Sequence, residues 1–474
     1  METPHLVQQD CDSLSSRSIT FHSLRILSYA WYLATMIYGI GEQAALAENN
    51  SWNAWLGDHA DSVWSKHERS MDLNKEPLKL AWKSKLGSGY SGPSMDSNSA
   101  VVMDFTPAPG ETAPANVFNR GKIIGKEAIR CFDLQTGALK WSYSYDETYA
   151  ISYPAGPRTT PLLTNDKVIS LGAEGRLSVV SKLQGNLLWE KKLKQTHQAK
   201  TPLWGFAGHP LLFEGAIICL VGGKEGAGVV SFDLITGKEN WRALHLEEMG
   251  YCPPTIIQRN KQQELVIWSG DGIDSLNPRD GTSNWNIPWK LRFALSISTP
   301  RQYGDFLYFT SFYNGSNLLN LETHPPSIVW QTKKASEKDT THLNSIMSTP
   351  YLHEEHIYGI CSYGQLRCLE MQSGKRIWET MDATTGDDSK RERWANAFII
   401  KNGSAERYLL FNESGDLIDC DLSPDGYVEH GRMNLIKPNG KDLRRRPIVW
   451  SHPGITRDYI CVRNDDSIAC YKLP

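Results

Sequence analysis

Apolar and polar positions alternate over short runs separated by turn residues, the pattern of half-buried strands. Residues 348–380 show it most clearly: "STPYLH", "HIYGICS", "QLRCLEM" and "KRIWET" read as four consecutive strands. The same unit recurs along the chain. A glycine stands four positions before a tryptophan at Gly137 and Trp141, Gly185 and Trp189, Gly237 and Trp241, Gly281 and Trp285, and Gly374 and Trp378. Two copies depart: Pro326 replaces the glycine before Trp330, and Gly426 is followed by His430 instead of a tryptophan.

The first strand of most copies opens with a small residue and a proline, at positions 91, 159, 208, 252, 298, 348 and 451, with a weaker "ANA" at 395. Most of these eight starts fall at the ~40 to 50 residue period of propeller blades, with one insertion in the first. The last copy lacks a fourth strand, whereas the N-terminal "LKLAWKSKLG" supplies a tryptophan strand with no blade before it. The pattern therefore predicts an all-β fold, an eight-bladed β-propeller of four-stranded antiparallel blades. Its N- and C-terminal strands share one blade and so remove the open edges. On this reading Trp82, Trp141, Trp189, Trp241, Trp285, Trp330 and Trp378 are structural, each packing an outer strand against a neighbouring blade, while the glycine makes the tight turn.

The recurring "DLQTGALKW", "DLITGKENW" and "EMQSGKRIW" resemble the tryptophan-docking repeat of PQQ-like, or quinoprotein alcohol dehydrogenase-like, eight-bladed propellers. The resemblance runs from Trp52 to the C-terminus, and "WNAWLGDHADSVWS" resembles the leader of secreted bacterial members. It implies the fold and leaves the activity open, since the family holds dehydrogenases and assembly scaffolds alike.

Net charge is -3 with both signs well mixed, which supplies no basic field for nucleic acid. Arg17 and Arg25 precede an uncharged run, residues 26–41, and "ALA" at 45–47 offers small residues to a signal peptidase. The expected organisation is a signal peptide over 1–47, a leader over 48–76 and the propeller over 77–474, with an insertion at 106–127. The run is shorter than the ~20 residues of a spanning helix, so the mature protein is expected not to span a membrane. A periplasmic or secreted monomer is the expectation. No cysteine follows the apolar run, which argues against a lipid anchor. Nine cysteines are too sparse for a disulfide framework. Cys361 with Cys368, and Cys461 with Cys470, would face each other across two-residue hairpin turns; whether either pair is bonded is left open.

In a blade, the loop entering the first strand and the turn between the second and third strands share one face, where function is expected. The positions before each first strand supply Arg158 in "GPRTTP", Trp204 and His209 in "PLWGFAGHP", and Tyr251 in "MGYCPP". They also supply His342 and Asn344 in "THLNSIMSTP", Arg393, Trp394 and Asn396 in "RERWANAF", and Arg446, Trp450 and His452 in "RRRPIVWSHP". Such a set suits an anionic or polar ligand. The insertion falls on the same face and its Pro and Ala content suggests a mobile flap.

Other motifs dissolve on alignment with the repeat. "HEEH" at 353–356 and "SGDGID" at 269–274 occupy hairpin turns and are not expected to hold a metal. Two functions remain. The first is a non-catalytic propeller that binds a protein, peptide or glycan through its loop face, without a cofactor. The alternative is an oxidoreductase for alcohols or sugars, which the resemblance implies would use pyrroloquinoline quinone with calcium, a vicinal cysteine disulfide and a carboxylate base. No two cysteines are adjacent here, and only Glu174, Asp271 and Glu413 in facing turns offer an acid.

Overall fold

A computed structural model describes residues 51–65, 71–338, 340–387, 390–403 and 406–474. The signal peptide assigned to 1–47, its apolar run and Cys11 lie outside the described residues. The described part of the leader belongs to the same compact unit as the ring.

Strand β1 (Val63–Ser65) belongs to the leader, and β2 (Lys79–Lys85) opens the ring. Blade one is β3 (Ser94–Met95), β4 (Ser99–Pro107), β5 (Ile123–Asp133) and β6 (Leu139–Tyr149). Seven more four-stranded blades follow, the eighth made by β2 pairing antiparallel with Ser467–Lys472, behind Tyr459–Arg463 and Gly454–Ile455. The ring is thus an eight-bladed β-propeller whose two ends share a blade. The middle strands of a blade are almost wholly buried, as in Val229–Asp233 and Leu366–Glu370, while the outer strands are half-buried or exposed.

The glycine and tryptophan spacing has a specific geometry. Each glycine takes a positive φ in its turn, and the tryptophan of the preceding blade lies flat against it: Trp82 on Gly137, Trp141 on Gly185, Trp189 on Gly237, Trp241 on Gly281 and Trp330 on Gly374. A Cβ at any of these glycines would stand 2.4 to 2.8 Å from ring atoms, so no side chain fits. The indole N–H then donates across the blade boundary, from Trp82 to Leu134 O at 2.7 Å, Trp141 to Lys182 O at 2.8 Å and Trp378 to Ser423 O at 2.8 Å. Trp285 faces the blade where Pro326 replaces the glycine, and its N–H goes instead to Glu264 of its own blade at 2.7 Å.

The leader enters the ring rather than preceding it. β1 pairs in parallel with Ala397–Asn402 and gives blade seven a fifth, innermost strand. The pairing falls at Lys401 and Asn402, with Lys401 N–H donating to Ser62 O at 2.8 Å, four residues beyond Ala397, which stands where the other copies have proline.

Two sequence expectations are corrected. Cys361 does not face Cys368, which lies opposite Tyr358, because the hairpin turn is a five-residue loop closed by Cys361 N–H on Gln365 O. Cys461 does face Cys470. The insertion is also shorter than read, since Thr106, Pro107 and residues 123–127 are paired strand, leaving a loop at 108–122. All eight described cysteines are free and buried, and burial raises the thiols of Cys131 to about 11 and Cys368 to about 12. Native protein is expected to leave these eight unreacted with Ellman's reagent until guanidinium unfolds it. Rapid native reaction at any of them would contradict their burial.

Candidate functional site

The inner strands surround the axial channel of the ring, and several residues at or beside their prolines are tied blade to blade. Thr160 N–H donates to His209 Nδ1 at 2.9 Å, and Thr299 N–H donates to Thr349 Oγ1 at 3.2 Å. Gly92 lies so close to the His452 carbonyl that a Cβ would stand 2.4 Å from its oxygen. The "TP" signature is therefore a ring of small or hydrogen-bonding residues that lets eight inner strands converge.

Trp55 of the leader stands in this ring. Its indole stacks on His209 with centroids 4.3 Å apart and planes 12° apart, and meets His452 edge-on at 5.2 Å. Its N–H donates to Thr299 Oγ1 at 3.0 Å. Above it a cavity of about 460 Å³ opens on the loop face.

The walls are mainly aromatic. Trp204, Tyr251, Phe312, Tyr313, Trp394 and Trp450 come from the ring, and Phe118 from the insertion loop. Phe118 packs edge-on against Trp204 at 5.9 Å and Tyr153 at 6.4 Å, and the loop is tied down by Tyr153 N–H on Val117 O and Arg120 Nε on Ala150 O. The insertion thus builds one wall of the cavity, on the face the sequence assigned to it.

Two guanidiniums reach the lining. Arg393 forms an ion pair with Glu337, lies over the Trp394 ring at 4.3 Å and donates to Tyr313 Oη at 3.1 Å. Arg158 has no carboxylate at ion-pair distance among the described residues. Three of its five N–H groups are spent on the carbonyls of Gly156, Ser152 and Tyr153, and the guanidinium lies 5.3 Å from the Tyr90 ring centroid. The two histidines carry no charge near neutrality, because burial pushes His209 down to about 3 and His452 down to about 4.

Of the residues singled out in the sequence, Arg158, Trp204, His209, Tyr251, Arg393, Trp394, Trp450 and His452 come together in the lining. Four do not, Arg446 being held off by Glu413 and Asp442. His342 packs on Trp330 at 4.7 Å with Nδ1 on Gly374 O, at a blade boundary. Asn344 is fully buried and donates to Phe312 O at 2.9 Å, and Asn396 is buried with its carbonyl accepting from Glu413 N–H. Trp55, Phe118 and Tyr153 escaped the sequence reading because none lies at an aligned position of the repeat, whereas Tyr90, directly before the start at 91, holds the position of Arg158, Tyr251, Trp394 and Trp450 in their copies and was passed over.

The acids in the facing turns are committed elsewhere. Glu174 accepts from Ala150 N–H, Lys194 and Thr201; Asp271 from Glu247 and Glu248 N–H and Lys290; Glu413 from Arg446 and Trp450. The described lining contains no carboxylate and one amide, Asn116, and no group of three His, Cys, Asp or Glu among the described residues could hold a metal. A calcium-held quinone needs clustered oxygen ligands and several cations for its carboxylates, so these residues do not fit that cofactor.

A family model described as outer membrane protein assembly factor BamB matches residues 62–286 and 125–380. Outer membrane protein assembly factor BamB of Burkholderia pseudomallei (strain K96243) is 25% identical over 230 residues, 46% of this chain and 54% of that protein. The match spans about half the length of the curated relatives. The crystal structure of BamB from Moraxella catarrhalis is similar at a TM-score of 0.52 and 11% identity, covering 84% of this chain and 98% of that one. A quinohemoprotein alcohol dehydrogenase from Pseudomonas putida HK5 is similar at a TM-score of 0.60 and 13% identity, covering 91% of this chain and 81% of that one. At these identities the structural likeness is one of fold.

Proposed function

The chain belongs to the family whose model is described as outer membrane protein assembly factor BamB, and from that premise we propose that it is a non-catalytic binding propeller of the cell envelope. It takes a protein, peptide or glycan through its loop face and serves as a scaffold. The relatives' printed role in outer membrane assembly supports a protein partner.

The observation that carries the reading is the aromatic-walled cavity with Arg158 as a cation lacking a carboxylate partner. Flat apolar walls stack on rings or apolar side chains, and an uncompensated guanidinium favours an anionic group on the ligand.

Paired probes of one shape test the anchor: 2-naphthoate and its neutral amide, titrated by tryptophan fluorescence. Wild-type protein is expected to favour the carboxylate by about tenfold. Arg158→Gln should erase the preference, whereas Arg393→Gln should keep it, because Glu337 already neutralises that charge. The ratio cancels any general loosening of the loop that Arg158 holds. Equal binding of both probes by wild-type protein would remove Arg158 as the anchor. His353→Ala, at the end of the first strand of blade six where it pairs with His356, should change neither affinity.

A further inference from the structure

The axial channel beneath the cavity has the features of a ligand site already filled. Trp55 comes from outside the ring and inserts a planar ring against His209, with His452 at its edge and Phe398 at 6.4 Å in an edge contact. Its single polar atom meets a matching acceptor, Thr299 Oγ1, at 3.0 Å. The backbone on either side is held by blades that are not neighbours: Asn53 O accepts from Leu163 N–H of blade two, and Ala60 O and Asp61 O accept from Arg301 of blade five.

We infer that the channel is a binding site for a planar aromatic ring bearing an N–H donor, and that the leader occupies it in cis with Trp55. Three features built by the ring define the site: a stacking face at His209, an acceptor at Thr299 and edge contacts from Phe398 and His452. Both imidazoles are neutral, so the site offers stacking without a net charge. The indole in turn forms the floor of the upper cavity and sets its depth. This inference stands apart from the ligand of the loop face, since it concerns the ring and its own leader.

Removing the side chain should leave a hole of the shape of an indole, which free indole fills from solution, as buried apolar cavities do. Purified Trp55→Ala protein is expected to show a saturable rise in melting temperature with indole that exceeds whatever rise stacking in the upper cavity gives the wild-type protein. Naphthalene, which has no N–H, should raise the melting temperature of Trp55→Ala less. An equal rise in wild-type protein, or no rise in folded Trp55→Ala, would overturn the inference.

A second measurement does not depend on that variant folding. In protein labelled with ¹⁵N at the indole nitrogens, Trp55→Phe identifies the Trp55 resonance. That resonance should be protected from solvent exchange and should move in Thr299→Val. Exchange as fast as a free indole, or no shift in Thr299→Val, would place the ring outside the site and refute the assignment.

Discussion

Glu127→Gln is expected to flatten the pH dependence of stability between about pH 4.5 and 8, leaving the variant more stable than the parent at the upper end. Glu127 is fully buried on β5 of blade one, where its carboxyl accepts from Tyr149 Oη at 3.0 Å and Ala173 N–H at 3.2 Å. Burial raises it from its ordinary 4.5 to about 8, outweighing both hydrogen bonds, and Glu147 adds to the rise. The folded chain therefore keeps a proton that the unfolded chain has lost across that window. With more protons on the folded state, stability falls as pH rises, beginning near the unfolded value and completed as pH passes the folded one. The total is on the order of 5 kcal/mol at ~1.4 kcal/mol per unit. Glutamine keeps an acceptor for Tyr149 and carries no charge at any pH. Denaturant melts of both proteins across the range measure the difference, in which other titrating groups cancel. Parallel profiles would show that Glu127 is ionised in the folded protein.

Why a carboxyl is retained there follows from what surrounds it. Gly172 of blade two lies so close that a Cβ would stand 2.7 Å from Tyr145 Oη and 2.8 Å from the Glu127 carboxylate. The lengthened β5 and β6 thus lean on blade two through polar atoms and carry the insertion loop, with Phe118, to the cavity. This link could not be read from the chain. The repeat gave the blade boundaries because tryptophans and glycines recur at fixed spacing, and the shared closing blade because Trp82 had no blade of its own. Those signals are local and recur in most of the eight blades. The cavity depends on contacts made once: Trp55 in a leader with no counterpart, and Phe118 in an insertion with none. Eight of the twelve loop-face positions reach the lining, and Arg446 is held off by Glu413 and Asp442. His342, Asn344 and Asn396 do not, because neighbouring residues of an extended segment turn to opposite sides, and alignment to the prolines fixes position more firmly than facing. The displaced Cys361 shows the same limit, since a three-residue change in turn length shifts every cross-strand partner.

Trp82→Ala is expected to destabilise the ring more than Trp189→Ala, although the chemical change is the same. Each indole lies on the glycine of the next blade, and each donates to a carbonyl there, at 2.7 Å for Trp82 and 3.0 Å for Trp189. Truncating a buried tryptophan costs about 3 to 5 kcal/mol through lost burial and the hole left behind. Trp82 is the more buried of the two, and Trp189 is half-buried. The larger difference is topological. The strand Leu187–Lys192 is joined to its own blade by a hairpin, whereas β2 is joined to the eighth blade only by its pairing with Ser467–Lys472. Loss of Trp82 and of its hydrogen bond to Leu134 therefore weakens the one blade that no hairpin closes. Detachment there would expose β2 and the unpaired edge of Ser467–Lys472 together. Limited proteolysis after thermal melting provides the measurement: Trp82→Ala should be cut within residues 79–93 well below its main transition, and Trp189→Ala should not. Equal stability losses with no early cleavage would mean that closure is held by the strand pairing alone, with the tryptophan contributing there only what it contributes in every other blade.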